Sequence, residues 1–554
     1  MTTSSLPGTA ASGALGGQRV SHLPALATVA VAVMLPALVM LAYILLRNEG
    51  HLAYALAAPY THLALADQIA QGHYGLNPGE ASSPSSSILW PFLLAALSFL
   101  PLGAYSALLV CLASNVVTAF LTYALAIECG VRLDRLRLPY LAAMALTLAI
   151  ALNLVGLAFA GLEHSLHVTL TLASLLGLVR FMRRGQVDTW WLVSIVMLPL
   201  IRFEAAAALA ADMLVLVAFR KYLHALGVAL AGSVIIGGFG LYLHSLGLPW
   251  LPNSVLARSA VASTGLEIGE SGPFALLRAI WSNFRLNLLA YGATHILAML
   301  VALAWGAARV TPRLPIRHGR TGWISAAAAG FFAVVALAQL TGGSLVSFSR
   351  YEIYVLALGV GTLLVVFAEE ADAFVARLRP TSCAAFCLAV LVLFAGYAFR
   401  SIDTLSAAGN NHDQQYQMLR FARDFYRGPV AVDHPGRINF RNPYYVLDLS
   451  NLSSDSGREA AAEGRAEAWM DAEVRRHDIG AVLILDNDYS AQPPASWRAV
   501  ARLVLRNNVV GAGSAAVIFY AVSDEDAPPI LDALRRLEPT LPPGARLVFL
   551  GQAG

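Results

Sequence analysis

A polytopic α-helical membrane protein with about eleven to twelve transmembrane helices and a C-terminal extracytoplasmic α/β domain is the fold class this sequence predicts. Three observations predict it. Hydrophobic residues fill 57% of 554 positions and charged residues only 13%, with a mean hydropathy of +0.63, a composition foreign to a water-soluble globule of this size. The apolar residues are gathered into runs long enough to cross a bilayer. From about residue 401 the runs shorten and charged residues become frequent.

Taken in order, residues 1–22 are polar and small and are expected to be a disordered cytoplasmic tail. Leu23 to Leu46 spans a bilayer, and with no small-residue cleavage site after it the run reads as a retained anchor. Further crossings are expected near 105–127, 139–160, 165–180, 189–201, 204–219, 222–243, 286–308, 321–341, 351–368 and 381–399, with 88–100 a short or re-entrant piece. Residues 23–400 form the membrane domain, and 47–87 is its first external loop.

The basic residues report topology. Arg132, Arg135 and Arg137; Arg180, Arg183 and Arg184; Arg220 and Lys221; Arg309, Arg313, Arg317 and Arg320; and Arg377 with Arg379 fall in alternate loops, as cytoplasmic positive charge does. The amino terminus is then cytoplasmic and the carboxyl terminus outside, in a multi-pass protein. A net charge of +3 without a basic patch excludes a nucleic-acid partner. The four cysteines, Cys111, Cys129, Cys383 and Cys387, lie in or beside apolar segments and indicate no disulfide framework.

Polar groups gather at the opposite helix ends: Glu163, His164 and His167; Arg202 and Glu204; Asn253, Ser254 and Arg258; Ser349, Arg350 and Glu352. Ionisable groups at membrane depth are costly, so their convergence on one face, beside the first loop, marks a candidate site. In that loop His62, Leu65, Ala66, Ile69 and His73 share one helix face, and Tyr60, Asp67, Gln68 and Gln71 the other. This helix should lie in the interface plane.

Residues 401–554 read as a small α/β domain. Apolar runs GPVAVDH, YYVLDLS, IGAVLIL and SAAVIFYAV look like strands buried on both faces, with helices over Arg458–His477 and Ile530–Leu537. The strand-end acids Asp433 and Asp448 suit either a ligand at the carboxyl edge of the sheet or a turn.

In the first loop, AQGHYGLNPGE and SPSSSILW, followed by GLEHSLH at 161–167, IRFEAA at 201–206, LPNSVLAR at 251–258 and SRYEIYVLAL at 349–358, resemble in order the segments of the GT-C class of membrane-embedded glycosyltransferases. The resemblance is to bacterial members related to arabinofuranosyl- and mannosyltransferases. It implies inverting transfer of a sugar from a polyprenyl-phosphate donor to an envelope glycan, lipid or protein acceptor, at the membrane surface. Arg350, Arg258 and Arg202 would bind the donor phosphate, since guanidinium pairs bidentately with it and stays charged. Tyr60, Asn77, Glu80, Ser85, Asn253 and Tyr351 would contact substrate. The resemblance fixes no cofactor, and a divalent metal, which could share the phosphate task as in some members, is an option, with Glu163, His164 or His167 as ligands.

The chain departs from the family at one place. The acidic pair of the first loop falls at 57 and 58, where this sequence has Ala57 and Ala58. His62, Asp67 or Glu163 is left to act as general base. The alternatives are a catalytically impaired relative that binds a lipid-linked sugar or scaffolds a partner, and, third, a lipid or solute transporter.

Overall fold

The computed structural model describes residues 22–258, 261, 264, 273–310, 319–345, 348–450, 454–486, 492–511 and 513–550. The expected tail lies, but for its last residue, outside them, as do Arg313, Arg317 and the side chains of Arg258 and Arg320. The chain is a bundle of apolar helices carrying a C-terminal mixed sheet.

Among the described residues six helices are long and apolar enough to cross a membrane: Leu23–Arg47, Tyr105–Glu128, His164–Arg184, Tyr222–Ser245, Tyr291–Arg309 and Gly322–Gly342. Two bent pairs raise the number to eight: Ile353–Val366 with Ala368–Ala376, bent by 79°, and Pro380–Leu393 with Ala395–Tyr426, bent by 73°. The expected crossings at 139–160, 189–201 and 204–219 are shorter pieces. Asn153, in the left-handed region at φ 50°, ends the Leu138–Ala151 helix before Leu154–Phe159 begins. Asparagine tolerates that conformation better than most residues. Arg202 is extended, at φ −149°, and separates Thr189–Ile201 from Ala206–Ala218. A run of apolar residues does not reveal such a break, because the breaking residue is set by contacts elsewhere.

His164–Arg184 is the central helix, packed by Tyr105–Glu128, Thr189–Ile201 and Ile353–Val366. Close approach is bought with small residues: a Cβ on Gly177 would lie 2.3 Å from the Trp191 ring. Outward faces carry large apolar side chains such as Leu35, Val39, Leu230, Val234 and Val301, suited to lipid. At one end of the bundle basic groups pair with acids, Arg184 with Glu128 at 2.6 Å and Arg132 with Asp372.

The C-terminal sheet has the order β2-β1-β3-β5-β4-β6. Its strands are β1 Val430–Val432, β2 Val446–Asp448, β3 Ala481–Leu485, β4 Arg498–Leu505, β5 Ala516–Ala521 and β6 Ala545–Phe549. β1 pairs in parallel with β2 and β3, and the remaining pairings are antiparallel. The first three strands are buried throughout, as their unbroken apolar runs foretell. β4 and β6 alternate between buried and exposed positions and were not among the expected strands, since each has one wet face. The helix expected over Arg458–His477 is two, Asp455–Ala462 and Ala466–Arg476, divided at Gly464 with φ 71°.

The sheet domain is not hung on a linker. Ala395–Asp413 runs as one helix through residue 401, and Asp413 at its end binds Arg47 of the first helix at 2.6 Å. The first loop docks on the edge strand β2: the Asn77 Nδ2 donates to the Val446 carbonyl at 3.0 Å, and its Oδ1 accepts from the Val446 N–H at 3.1 Å. One asparagine amide thereby occupies the free side of a strand residue. Asn77→Ala is expected to loosen this dock by about 1–3 kcal/mol, read as faster hydrogen exchange at residues 444–448 without loss of the helical bundle.

Candidate functional site

The site is built where helices meet at the end opposite the paired basic groups. Glu163 precedes the central helix, Arg202 follows Thr189–Ile201, Glu204 precedes Ala206–Ala218, and Arg350 precedes Ile353–Val366. Antiparallel neighbours bring these ends together. The first loop adds His62 and Ser86.

Arg202 is the hub. Its Nη1 donates to Glu163 Oε1 at 2.9 Å and to Ser86 Oγ at 3.0 Å, while Nε and Nη2 reach the two Glu204 oxygens at 3.1 and 2.5 Å. Glu163 is 1% exposed. Its second oxygen lies 4.0 Å from His62 Nε2. With four of its five N–H groups engaged, this guanidinium holds two carboxylates and a loop serine in place.

Arg350 is placed otherwise. Its Nη2 donates to the Tyr351 hydroxyl at 2.8 Å, its guanidinium stands 4.6 Å from that ring, and among the described residues its buried Nε has no hydrogen-bond partner. No ion pair with a carboxylate involves it among those residues. Phe348 and Ser349, directly before it, both have positive φ, at 61° and 49°. Two successive non-glycine residues in that region are strained, and such strain is tolerated where a neighbouring side chain must be aimed.

Arg350, Arg202, Glu204, Tyr351, Ser86 and Ser254 line one cavity of about 650 Å³. Among the described residues its wall thus carries two cations, one carboxylate and hydroxyl groups, the set needed to hold an anionic headgroup beside a proton acceptor. Nearby, Asn253 donates its backbone N–H to Ser83 Oγ at 3.0 Å and keeps its buried side-chain amide unpaired among the described residues.

No family model and no curated protein matches this chain. Three solved structures are similar in the course of the backbone. ArnT from Cupriavidus metallidurans matches in the apo state at 12% identity, over 92% of this chain and 99% of that one, with a TM-score of 0.49. The same protein bound to undecaprenyl phosphate matches at 11% identity, over 90% and 98%, with a TM-score of 0.45. The Archaeoglobus fulgidus oligosaccharyltransferase in the apo form matches at 12% identity, over 94% and 79%, with a TM-score of 0.45. Likenesses this loose carry no argument about the reaction, so the chemistry has to come from the residues.

The sequence-derived candidates divide. Glu163, Arg202, Arg350, Tyr351 and His62 come together around the cavity or behind its wall. Asp67 turns the other way, toward Arg441 at 4.0 Å, and burial raises its carboxyl above the ordinary range while Arg441 pulls it down. Asn77 holds Val446, and Glu80 Oε2 accepts from the Tyr445 hydroxyl at 2.9 Å, so both serve the dock of the loop on the sheet. Ser85 closes a turn with Ser87. Tyr60 donates to the Leu52 carbonyl and lies under Arg437, 4.5 Å from ring to guanidinium. His164 meets the edge of Tyr351, and His167 stacks on Tyr354 at 3.9 Å. Among the described residues no three His, Cys, Asp or Glu side chains converge as metal ligands. Glu204, which the sequence places among the polar helix ends without assigning it a role, lines the cavity.

The tertiary structure sets a glycine of the sheet domain against Ala57. The backbone of Gly436 presses on this corner: a Cβ there would lie 2.6 Å from the Ala57 carbonyl oxygen and 2.9 Å from its Cβ. The next residue, Arg437, is clamped between the Tyr60 and Tyr416 rings at 4.5 and 4.6 Å. The sheet domain therefore packs directly against Ala57, while Ala57 and Ala58 each keep part of their surface exposed. Replacing Ala57 and Ala58 by aspartates is expected to leave turnover unimproved and to lower the thermal midpoint; increased turnover in a transfer assay would show that the corner yields. Gly436→Ala is expected to cost about 1–3 kcal/mol by overpacking the same contact.

Proposed function

We propose that this protein is an integral-membrane glycosyltransferase that moves a sugar from a polyprenyl-phosphate donor to a hydroxyl of an envelope glycan, lipid or protein on the external face of a bacterial inner membrane. The observation that carries the reading is Arg350, a cation without a carboxylate partner among the described residues, opening on a cavity that also presents Glu204. The order of segments in the sequence supports it.

In this reading Arg350 meets the donor phosphate. The acceptor oxygen forms its bond to the anomeric carbon as the bond from that carbon to the phosphate oxygen breaks, and the configuration inverts. The hydroxyl proton passes to Glu204. Charge grows on the departing lipid phosphate, and the Arg350 guanidinium stabilises it. Arg202 fixes Glu204 in position, with Glu163 and His62 behind it. Glu163, His164 and His167 do not come together as a metal-ligand set among the described residues, so the reading routes no step through a metal.

The test supplies the purified protein with a panel of polyprenyl-phosphate sugars and measures release of the lipid phosphate. Release with at least one donor is the expected result. Binding without release would favour the non-catalytic relative, which Ala57 and Ala58 in place of the acidic pair support, and neither binding nor release would remove the reading.

A further inference from the structure

The sheet domain holds a second cavity, of about 990 Å³, unconnected with the residues of the membrane cavity. It opens at the carboxyl ends of the parallel strands. β1 connects to β2 on one side, and the chain then crosses by the helices Asp455–Ala462 and Ala466–Arg476 to β3 on the other side. That is a topological switch point, the place where open α/β sheets form a ligand crevice.

The two strand-end acids differ there. Asp448 is spent on a turn, accepting from the Ser450 N–H at 2.8 Å and its hydroxyl at 2.5 Å. Asp433, 2% exposed, lines the cavity. Its Oδ2 accepts from the Leu485 N–H at 2.9 Å, but among the described residues Oδ1 receives no hydrogen bond, and the His434 Nδ1 stands 3.5 Å off. A buried carboxylate oxygen without a donor is costly, and a ligand that donates to it removes the cost.

The rest of the lining narrows the ligand. Phosphate is disfavoured: the helix after β1, Gly436–Asn439, has four residues, its first glycine is pressed on Ala57, and the strand ends in an acid. Ser496 and Gln492 supply neutral groups that both give and take hydrogen bonds, and Ser450, its hydroxyl donated to Asp448, can only accept; of the charged residues in the lining, Arg465 is paired with Glu463, Asp471 with Arg475 at 2.7 Å, and Glu467 is exposed to solvent. The Trp469 Nε1 is engaged by Ser456 at 3.1 Å, so the indole contributes apolar surface to the lining rather than a donor. A ligand with several uncharged hydroxyl groups on a partly apolar ring frame matches this set. We propose that the sheet domain carries a binding site for neutral saccharide units, anchored on Asp433, whether or not the membrane cavity turns over a donor.

The experiment uses the full-length protein in detergent with a panel of neutral mono- and disaccharides, an amino sugar and a sugar phosphate, read by saturation-transfer NMR and titration. Asp433→Asn keeps an oxygen for the Leu485 N–H and replaces the free acceptor by a donor. Binding of a neutral saccharide that weakens at least tenfold in Asp433→Asn and is unchanged in Arg350→Ala is the expected result. Gln492→Ala, on the rim, is the second variant should Asp433→Asn lose its thermal transition. Unchanged affinity in the folded variants, preference for the amino sugar or sugar phosphate, dependence on Arg350, or no saccharide binding would each overturn the proposal.

Discussion

Replacing Arg350 by alanine is expected to lower kcat/KM for lipid phosphate release by about 100- to 1,000-fold, or about 3–4 kcal/mol of transition-state stabilisation. Among the described residues the side chain that is lost makes one hydrogen bond, to the Tyr351 hydroxyl, and a ring contact. Folding should therefore suffer little, by about 1 kcal/mol. Arg350→Lys should recover part of the rate, because an ammonium keeps the charge but not the planar fork. Turnover as fast as in the parent, in a protein with an unchanged thermal midpoint, would remove Arg350 from the phosphate site.

Glu204→Gln carries the second large effect, a fall of about 100- to 10,000-fold in the transfer step. Glutamine keeps an oxygen for Arg202 but cannot take the acceptor proton. Donor binding should persist, so the loss belongs in kcat rather than in the donor affinity. Glu163→Gln provides the contrast. Glu163 lies behind Arg202, and its neutralisation leaves Glu204 to pair the guanidinium, so a smaller loss is expected. A larger fall in folded Glu163→Gln than in Glu204→Gln would make Glu163 the base.

Much of the architecture was legible because lipid demands it locally. A bilayer-crossing helix must be long and apolar along its own length, and Leu23–Arg47 or Tyr105–Glu128 shows that in the chain itself. The strands β1, β2, β3 and β5 were equally plain as short apolar runs, whereas β4 and β6 hid their role in alternation. The candidate site was half legible. The polar helix ends named Arg350, Arg202 and Glu163, and the first-loop helix named His62, yet which of them share a wall depends on packing between residues as far apart as Ser86 and Arg350. The same limit made Asn77 and Glu80 look like substrate contacts, when each finds its partner more than 360 positions away.

The sequence by itself thus determined a helical membrane protein with polar groups at one set of helix ends and an α/β domain after them, since hydropathy and periodicity are properties of neighbouring residues. Only the tertiary structure decided that Arg202 is spent on two carboxylates while Arg350 pairs with none among the described residues, that Glu204 faces the cavity, and that Gly436 packs against Ala57. Those outcomes depend on which distant groups compete for the same hydrogen bonds and the same space, and no local pattern in the chain encodes that competition.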